Sequence, residues 1–165
     1  MPEASSRGAT PAVELILAFD YGARRIGLAV GDTVTRTARP LAAVGNAPQA
    51  VGNALAAIGR EISELRPARL VVGCPYNADG SPSALTRRAR EFAAQLQQRF
   101  ELPVVLVDER HSSQEAAARL REQRASGQRN RRVAKDDVDS TAAAIILERW
   151  FAGETVAATA GTSTR

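Results

Sequence analysis

Four acidic residues directly follow apolar runs or open a helical pattern, where a carboxylate could do chemistry. They are Asp20, Asp108, Glu109 and Asp139. In open α/β sheets, ligands bind at the edge formed by the carboxyl ends of the strands. Buried carboxylates that converge there repel one another and are costly without a cation. Three carboxylates without histidine or cysteine make a hard oxygen site, which suits Mg²⁺ or Mn²⁺. Two such ions about 4 Å apart would support phosphodiester cleavage.

Alternation along the predicted strands indicates which of these acids can meet. Asp20 shares a strand face with Ala18, and Glu109 shares one with Val107, whereas Asp108 takes the opposite face. Asp20 and Glu109 can therefore point toward the same helical layer.

The third carboxylate, Asp139, is predicted on the core-facing side of the last helix, near its N-terminus. It shares a helical stripe with Ala143 and Ile146. Asp136 precedes it by three residues and could lend a further metal ligand. The alanines at 142–144 would let this helix approach the sheet closely.

Each acid also has a purely structural explanation. Asp20 could be a turn residue, and Asp108 could cap the following turn. Glu109 could pair with Arg110 or Arg87, and Asp139 could be a first-turn acid favoured by the helix dipole. The four acids together are more specific than any one of them.

Basic residues are concentrated between Glu109 and Asp139. Residues 110–135 hold eight bases and two acids, a surplus of six positive charges against four for the whole chain. Such a segment beside a metal site could hold a phosphate backbone, or it could be a solvated surface. The residues predicted to bind substrate are Arg25, Arg87, Arg110, Arg129, Arg131 and Arg132. Aromatic residues are only 4% of the chain, which favours backbone and shape recognition over base stacking.

The elements that must position these residues follow from the apolar pattern. The predicted strands are 15–20, 26–31, 38–44, 70–74 and 104–108, and the predicted helices are 49–65, 84–100, 113–124 and 138–151. A basic loop is expected at 125–135. Three strands in a meander followed by strand–helix alternation predict an α/β fold. Its mixed five-stranded sheet begins antiparallel, adds parallel strands and is flanked by helices.

Length and composition predict one ordinary domain. The chain has 165 residues, of which 14–152 carry dense pattern, and we expect flexible tails at 1–13 and 153–165. Cys74 is the only cysteine, so no intrachain disulfide and no cysteine-based zinc site can form. The apolar runs are too short to cross a membrane and the N-terminus is unlike a secretory signal, so we expect a cytoplasmic protein.

Four ordered motifs give the sequence a resemblance to a known family. FDYGARRIGLAVG (19–31) resembles a DxGxxRIGxAxxD start, and VVGCPYN (71–77) resembles a VVGxP strand and loop. DERHSS (108–113) resembles a DERxxT/S segment. VDS (138–140), followed by alanine and aliphatic residues, resembles a final helix of the form D…AAxxIL. The chain thus resembles the YqgF family of RNase H-like, RuvC-related proteins. These are described as Holliday junction resolvases or as nucleases that process the 5′ end of pre-16S ribosomal RNA.

The resemblance implies an RNase H-like fold and divalent-metal nuclease chemistry, with a two-metal site of Mg²⁺ or Mn²⁺. It assigns catalytic and metal-binding roles to Asp20, Glu109 and Asp139, with Asp136 as a further candidate ligand. His111 and Cys74 depart from the family pattern, and we interpret both as packing variation.

We expect a metal-dependent nuclease that acts on structured RNA and processes the 5′ end of pre-16S rRNA. A Holliday junction resolvase acting on branched DNA is the alternative, and it would need a dimer to cut two strands symmetrically. A non-catalytic RNA-binding protein is a further alternative, although the three carboxylates argue against it. The expected partner is nucleic acid, with no membrane and a monomer or weak homodimer. A two-lobed nucleotide-binding fold with a similar opening hairpin would need a longer chain.

Overall fold

The computed structural model describes residues 12–46, 51–77, 79–109, 112–125 and 135–153. Its five strands are β1 (Leu15–Tyr21), β2 (Arg25–Asp32), β3 (Ala38–Gly45), β4 (Arg69–Cys74) and β5 (Val104–Asp108). Its four described helices are α1 (Val51–Leu65), α2 (Ala84–Phe100), α3 (Ser112–Ala125) and α4 (Lys135–Phe151). The strands form one sheet in the order β3-β2-β1-β4-β5. β1 pairs antiparallel with β2, and β2 with β3, whereas β1 pairs parallel with β4, and β4 with β5. The predicted mixed sheet is confirmed.

Alternation along β1 divides the core into two layers. Leu17 and Phe19 are fully buried in the larger cluster, which α1 and α2 cover. Ile16 and Ala18 face the other layer, where α4 supplies Ile146. α3 packs on α4. Because Asp20 follows Ile16 and Ala18 in the alternation of side chains along β1, it faces the α4 layer.

Small residues allow α4 to lie very close to the sheet. Ala143 and Ala144 pack against Ala29 of β2, as expected from the run of alanines. A Cβ added at Gly27 of β2 would overlap the backbone carbonyl of Asp139. The N-terminal part of α4 is therefore seated directly on the strand that neighbours β1.

The start of the last helix differs from the sequence prediction. This helix begins at Lys135 rather than at residue 138, so residue 135 belongs to a helix and not to the predicted basic loop. Asp136 and Asp137 therefore belong to the first turn of α4. In α2, Thr86 is fully buried and completes a capping box with Ser83.

Several predicted segments lie outside the described residues. They are most of the two tails, residues 47–50 around the predicted start of the first helix, and residues 126–134 of the predicted basic loop. None of the helices that the structure describes is both long enough and apolar enough to cross a bilayer.

The contact between Gly27 and α4 gives a first prediction. Gly27→Ala should lower the free energy of unfolding by about 2 kcal/mol, because the added methyl group must push α4 away from β2. Urea denaturation followed by circular dichroism measures the change.

Gly45→Ala is the matched control. Gly45 also lies in a strand, but a Cβ added there meets nothing within 4 Å. Its unfolding free energy should stay within about 1 kcal/mol of the wild type. Equal effects of the two substitutions would show that α4 does not depend on the close contact at Gly27.

Candidate active site

Asp20 and Glu109 meet at the carboxyl ends of β1 and β5. Asp20 lies near the end of β1 and Glu109 directly follows β5, and the two residues are only 7% and 8% exposed. The Glu109 amide donates to the carbonyl of Cys74 at 3.2 Å, which fixes the chain just beyond β5 against β4. The prediction that these two acids point to the same layer is confirmed by their contact with each other.

Gly73 is what allows the two carboxylates to reach each other. β4 separates β1 from β5, so the two strands that carry the acids are about 10 Å apart. Gly73 is the register partner of Asp20 on β4, and a Cβ there would lie 3.2 Å from the Glu109 Cβ and would overlap Ile146. The missing side chain leaves room for the acids to meet across the intervening strand.

The environment of this pair favours uptake of a proton. Burial, reinforced by the negative charge of Asp139, raises the pKa of Asp20 to about 6. Burial and the neighbouring charge of Asp20 raise the pKa of Glu109 well above its ordinary value. A hydrogen bond between the two carboxyl groups lowers the pKa of Asp20 and raises that of Glu109. Without a cation, these shifts favour a proton held between the two carboxyl groups.

The third predicted acid lies beside the pair but has a different partner. Asp139 Oδ2 accepts a hydrogen bond from Arg25 Nε at 3.0 Å, and the two side chains are 23% and 29% exposed. The charge of Asp139 acts on Asp20, so the two carboxylates share one electrostatic environment. Within the described ranges, no three acidic, histidine or cysteine side chains are grouped closely enough to hold a metal ion. The structure thus brings two of the three predicted ligands together and holds the third on Arg25.

The donor set fits a hard divalent cation. Asp20 and Glu109 offer only oxygen atoms, and positive charge between them would relieve the repulsion that raises their pKa values. Beside Asp139, the buried hydroxyl of Ser140 has no hydrogen-bond partner among the described residues, so an unsatisfied polar group lies next to the third acid.

The remaining predicted residues take different places. Arg87 is exposed in the first turn of α2, and Asp136 lies in the first turn of α4. Asp108 ends β5 with a partly buried side chain. The other predicted phosphate contacts, Arg110, Arg129, Arg131 and Arg132, lie outside the described residues.

Sequence reasoning missed Arg149. Its guanidinium donates to the carbonyl of Asp108 at 3.1 Å and to Glu115 at 3.1 Å, and its charge lowers the pKa of Glu109. Arg149 therefore ties the end of β5 to α3 and α4. Helical spacing gave no signal for it, because Arg149 follows Asp139 by ten residues and is turned about 80° away from it around α4.

A separate cavity does not coincide with these acids. Its volume is about 310 Å³, and it lies on the other layer, between α1 and α2. Tyr21, Asn46 and Phe92 contribute to its lining, but none of the three carboxylates does. The electrostatics of the acid pair, rather than concavity, identify the candidate site.

Comparisons with known proteins agree with this geometry. A family model described as "RuvX: Holliday junction resolvase" matches residues 14–153. A Burkholderia vietnamiensis protein named "Putative pre-16S rRNA nuclease" is 44% identical over 151 residues, 92% of this chain and 94% of that protein. A Xanthomonas campestris protein of the same name is 45% identical over the same shares of each chain.

Solved structures give the same fold. Thermus thermophilus RuvC in complex with a Holliday junction substrate covers 90% of this chain and 97% of its own, with a TM-score of 0.55 and 20% identity. A second T. thermophilus RuvC structure has a TM-score of 0.52 and 19% identity over the same shares. The RuvC-like, RNase H-type fold predicted from the sequence is confirmed.

The buried pair predicts an unusual dependence of stability on pH. The pKa of Asp20 is raised from 3.8 to about 6, so the unfolded chain loses this proton at a lower pH than the folded protein does. Ionisation of Asp20 therefore lowers the free energy of unfolding increasingly as pH rises from about 4 through 6. Asp20→Asn should therefore raise the free energy of unfolding by about 2 kcal/mol at pH 7.5 in EDTA. The gain should become small near pH 4. Urea denaturation at both pH values measures it.

Asp32→Asn is the control, because the pKa of Asp32 is shifted downward whereas that of Asp20 is shifted upward. Hydrogen bonds from Thr35 and Val34 lower the pKa of Asp32, so its ionised form is favoured by folding. Its replacement should not stabilise the protein at pH 7.5. A destabilised Asp20→Asn protein at that pH would contradict the charge repulsion inferred for the pair.

Proposed function

The chain belongs to the RuvX family, the YqgF-type proteins whose motifs it carries, and from this membership we propose a metal-dependent nuclease that processes the 5′ end of pre-16S rRNA in ribosome biogenesis. The observation that carries the chemistry is the buried contact of Asp20 with Glu109 at the carboxyl edge of the sheet. A stable scaffold has little reason to bury two repelling carboxylates, whereas a phosphodiester hydrolase needs them.

Asp20, Glu109 and Asp139 are the proposed catalytic and metal-binding residues, and Asp136 is a further candidate ligand in the first turn of α4. Mg²⁺ or Mn²⁺ bound there would supply Lewis-acid stabilisation of the charge that develops on the phosphate. Asp20 and Glu109 contribute fixed oxygens in a site that little solvent reaches. Gly73 and Arg149 position Glu109, the first by leaving room and the second by holding the end of β5.

The basic segment between Glu109 and Asp139 is the proposed substrate-binding element. Its surplus of six positive charges is joined at both ends to catalytic residues. Arg110, Arg129, Arg131 and Arg132 belong to this segment, and exposed Arg87 would add a contact from α2. Guanidinium groups bind phosphate oxygens in a bidentate manner, which suits recognition of an RNA backbone.

Resolution of Holliday junctions is the second candidate, because the matching family model carries that description. The same carboxylates would perform the chemistry, but symmetrical cleavage would need two copies of the site. A non-catalytic RNA-binding role is disfavoured, since it would leave the electrostatic cost of the acid pair without a purpose.

Activity assays test the proposal directly. With Mg²⁺ or Mn²⁺, the protein should cleave a precursor 16S rRNA fragment, and EDTA should abolish cleavage. Asp20→Asn and Glu109→Gln should each reduce the rate by about a hundredfold or more, because the metal site loses a charged ligand. Gel analysis of end-labelled RNA measures both the rate and the position of the cut.

Arg60→Ala is the control for these variants. Arg60 is exposed on α1 and lies outside the proposed substrate-binding element. Its cleavage rate should match the wild type. A four-way DNA junction tested in parallel decides between the two candidates, and cleavage that persists in EDTA would contradict the mechanism for both.

Salt dependence tests the proposed substrate-binding element. Replacing Arg129, Arg131 and Arg132 with alanine should weaken RNA binding and lower the slope of log K against log salt by about 2 to 3. Filter binding at salt concentrations from about 50 to 200 mM measures this slope, because phosphate contacts dominate the salt dependence of binding in that range.

Three other arginines form the control set. Arg60 lies on α1, Arg66 directly follows α1, and Arg99 lies near the end of α2. All three are toward the edge of the sheet opposite the acids. Their triple replacement removes the same charge but should change the slope much less. Equal slopes in the two triple variants would attribute binding to net charge alone.

A further inference from the structure

The cavity of about 310 Å³ lies on the face of the sheet opposite the acid pair but at the same end of β1. Tyr21 lines it and directly follows Asp20, so these two side chains point to opposite faces of one strand end. Ala23, in the turn between β1 and β2, also lines it. A nucleic acid that crosses this edge of the sheet can therefore reach the acids and the cavity together.

An aromatic pair forms one wall of the cavity. The rings of Tyr21 and Phe92 have centroids 4.9 Å apart and are tilted by 39°. Phe92 is buried and packs edge-on against the buried Phe19, with centroids 5.6 Å apart, so it gives the Tyr21 ring firm support. Tyr21 itself is only partly buried. A supported and partly exposed ring is suited to stack against a planar group.

A fixed amide lies beside these rings. Asn46 lines the cavity and is 8% exposed. Its Nδ2 donates to the Gly22 carbonyl at 2.8 Å, and its backbone amide donates to the Arg24 carbonyl at 2.7 Å. Its Oδ1 has no hydrogen-bond partner among the described residues, so the side chain retains one acceptor. An acceptor held beside an aromatic ring favours a planar ligand that carries an N–H donor.

The charges at the cavity favour a neutral occupant. Arg88 and Glu91 of α2 both contribute to the lining, so one positive and one negative group border the same space. A phosphate would be repelled by Glu91, whereas an uncharged ring with polar edges would not. The volume is close to the lower limit of small-ligand pockets, about 300 Å³, which suits one such ring. A nucleobase combines the flat face and the polar edge that this lining requires.

We propose that the cavity binds one unpaired nucleobase of the RNA, next to the phosphodiester bond that is cut. Tyr21 supplies the stacking face and Asn46 supplies the acceptor for the edge of the base. The inference rests on the proposed nuclease function and names the part of the substrate that is read. Aromatic residues are only 4% of the chain, so stacking is confined to one base while phosphate contacts hold the rest. An RNA that is unpaired at the cut is thus preferred to a fully paired junction.

Binding of adenosine monophosphate to the metal-free protein is the first test. In EDTA, the nucleotide should shift the NMR signals of the Tyr21, Asn46 and Phe92 amides, whereas inorganic phosphate at the same concentration should not. Tyr21→Leu should weaken binding about tenfold because the stacking face is lost, and Tyr21→Phe should retain most of it. Phe100→Leu is the matched control, since Phe100 packs on the same core cluster at the far end of α2.

A variant that fills the cavity tests the same site without altering Tyr21. Ala54 is buried on α1 and lines the cavity, so Ala54→Leu should occupy part of its volume and weaken binding by a similar factor. Ala56→Leu adds the same side chain at an exposed position of the same helix and should bind like the wild type.

Cleavage of RNA that lacks single bases is the second test. Removing one base at a time around the cut leaves every phosphate in place, and it should slow cleavage about tenfold at one position only. Tyr21→Leu should slow cleavage of the intact RNA by a similar factor, with little further loss when that base is also missing. Gel analysis of end-labelled RNA measures these rates.

The outcomes separate this inference from the proposed function. If the wild type cleaves RNA with metal but removal of any base has the same effect, or Tyr21→Leu behaves like Phe100→Leu, the base site is wrong and the nuclease stands. Nucleotide-dependent NMR shifts that lie outside the cavity would also overturn the base site. If adenosine monophosphate binds in the cavity but no RNA is cleaved with metal, the proposed function fails and the nucleobase site remains.

Discussion

The repulsion between two buried carboxylates is the constraint on which the rest of the site depends. Asp20 and Glu109 are each less than a tenth exposed and lie against each other above β4. Ionising both would place two negative charges in a medium that screens them poorly, so the metal-free protein retains a proton between them. Gly73 makes room for the pair, and Arg149 supplies positive charge near it.

The third acid obeys the same constraint in a more exposed setting. Asp139 is carried by a helix, and Gly27 lets that helix lie directly on the strand beside Asp20. Close approach adds a further negative charge to the site, and Arg25 compensates it. The compensating group is therefore an arginine at the rim, whereas the buried pair is compensated by a proton. This difference in depth separates the two kinds of compensation.

Much of this arrangement could be predicted from the sequence, because the spacing of apolar residues indicates which side chains share a face of a strand or helix. The alternation of Ile16, Ala18 and Asp20 placed the carboxylate toward one layer, and β5 has the predicted bounds. The partner of Arg25 could not be predicted in this way, since a guanidinium at a turn is equally suited to a phosphate and to a carboxylate. Only the packing of α4 on Gly27, which joins residues distant in sequence, brings Asp139 within its reach. The start of α4 was also misplaced, because helix ends depend on local interactions that periodicity does not report.

Chain connectivity explains why the basic surplus lies where it does. Glu109 ends the sheet at β5, and Asp139 returns the chain to the same site at the start of α4, so the 29 residues between them leave and re-enter at one place. Under the proposed function, a phosphate bound by the positive charges of that stretch would be presented to the carboxylates at a raised effective concentration. The small net charge of the chain conceals this arrangement, because the acids proposed to hold the cation and the bases proposed to bind phosphate largely cancel in the total. In that proposal, the connection through the chain, rather than the size of the surplus, would give these arginines their role in the chemistry.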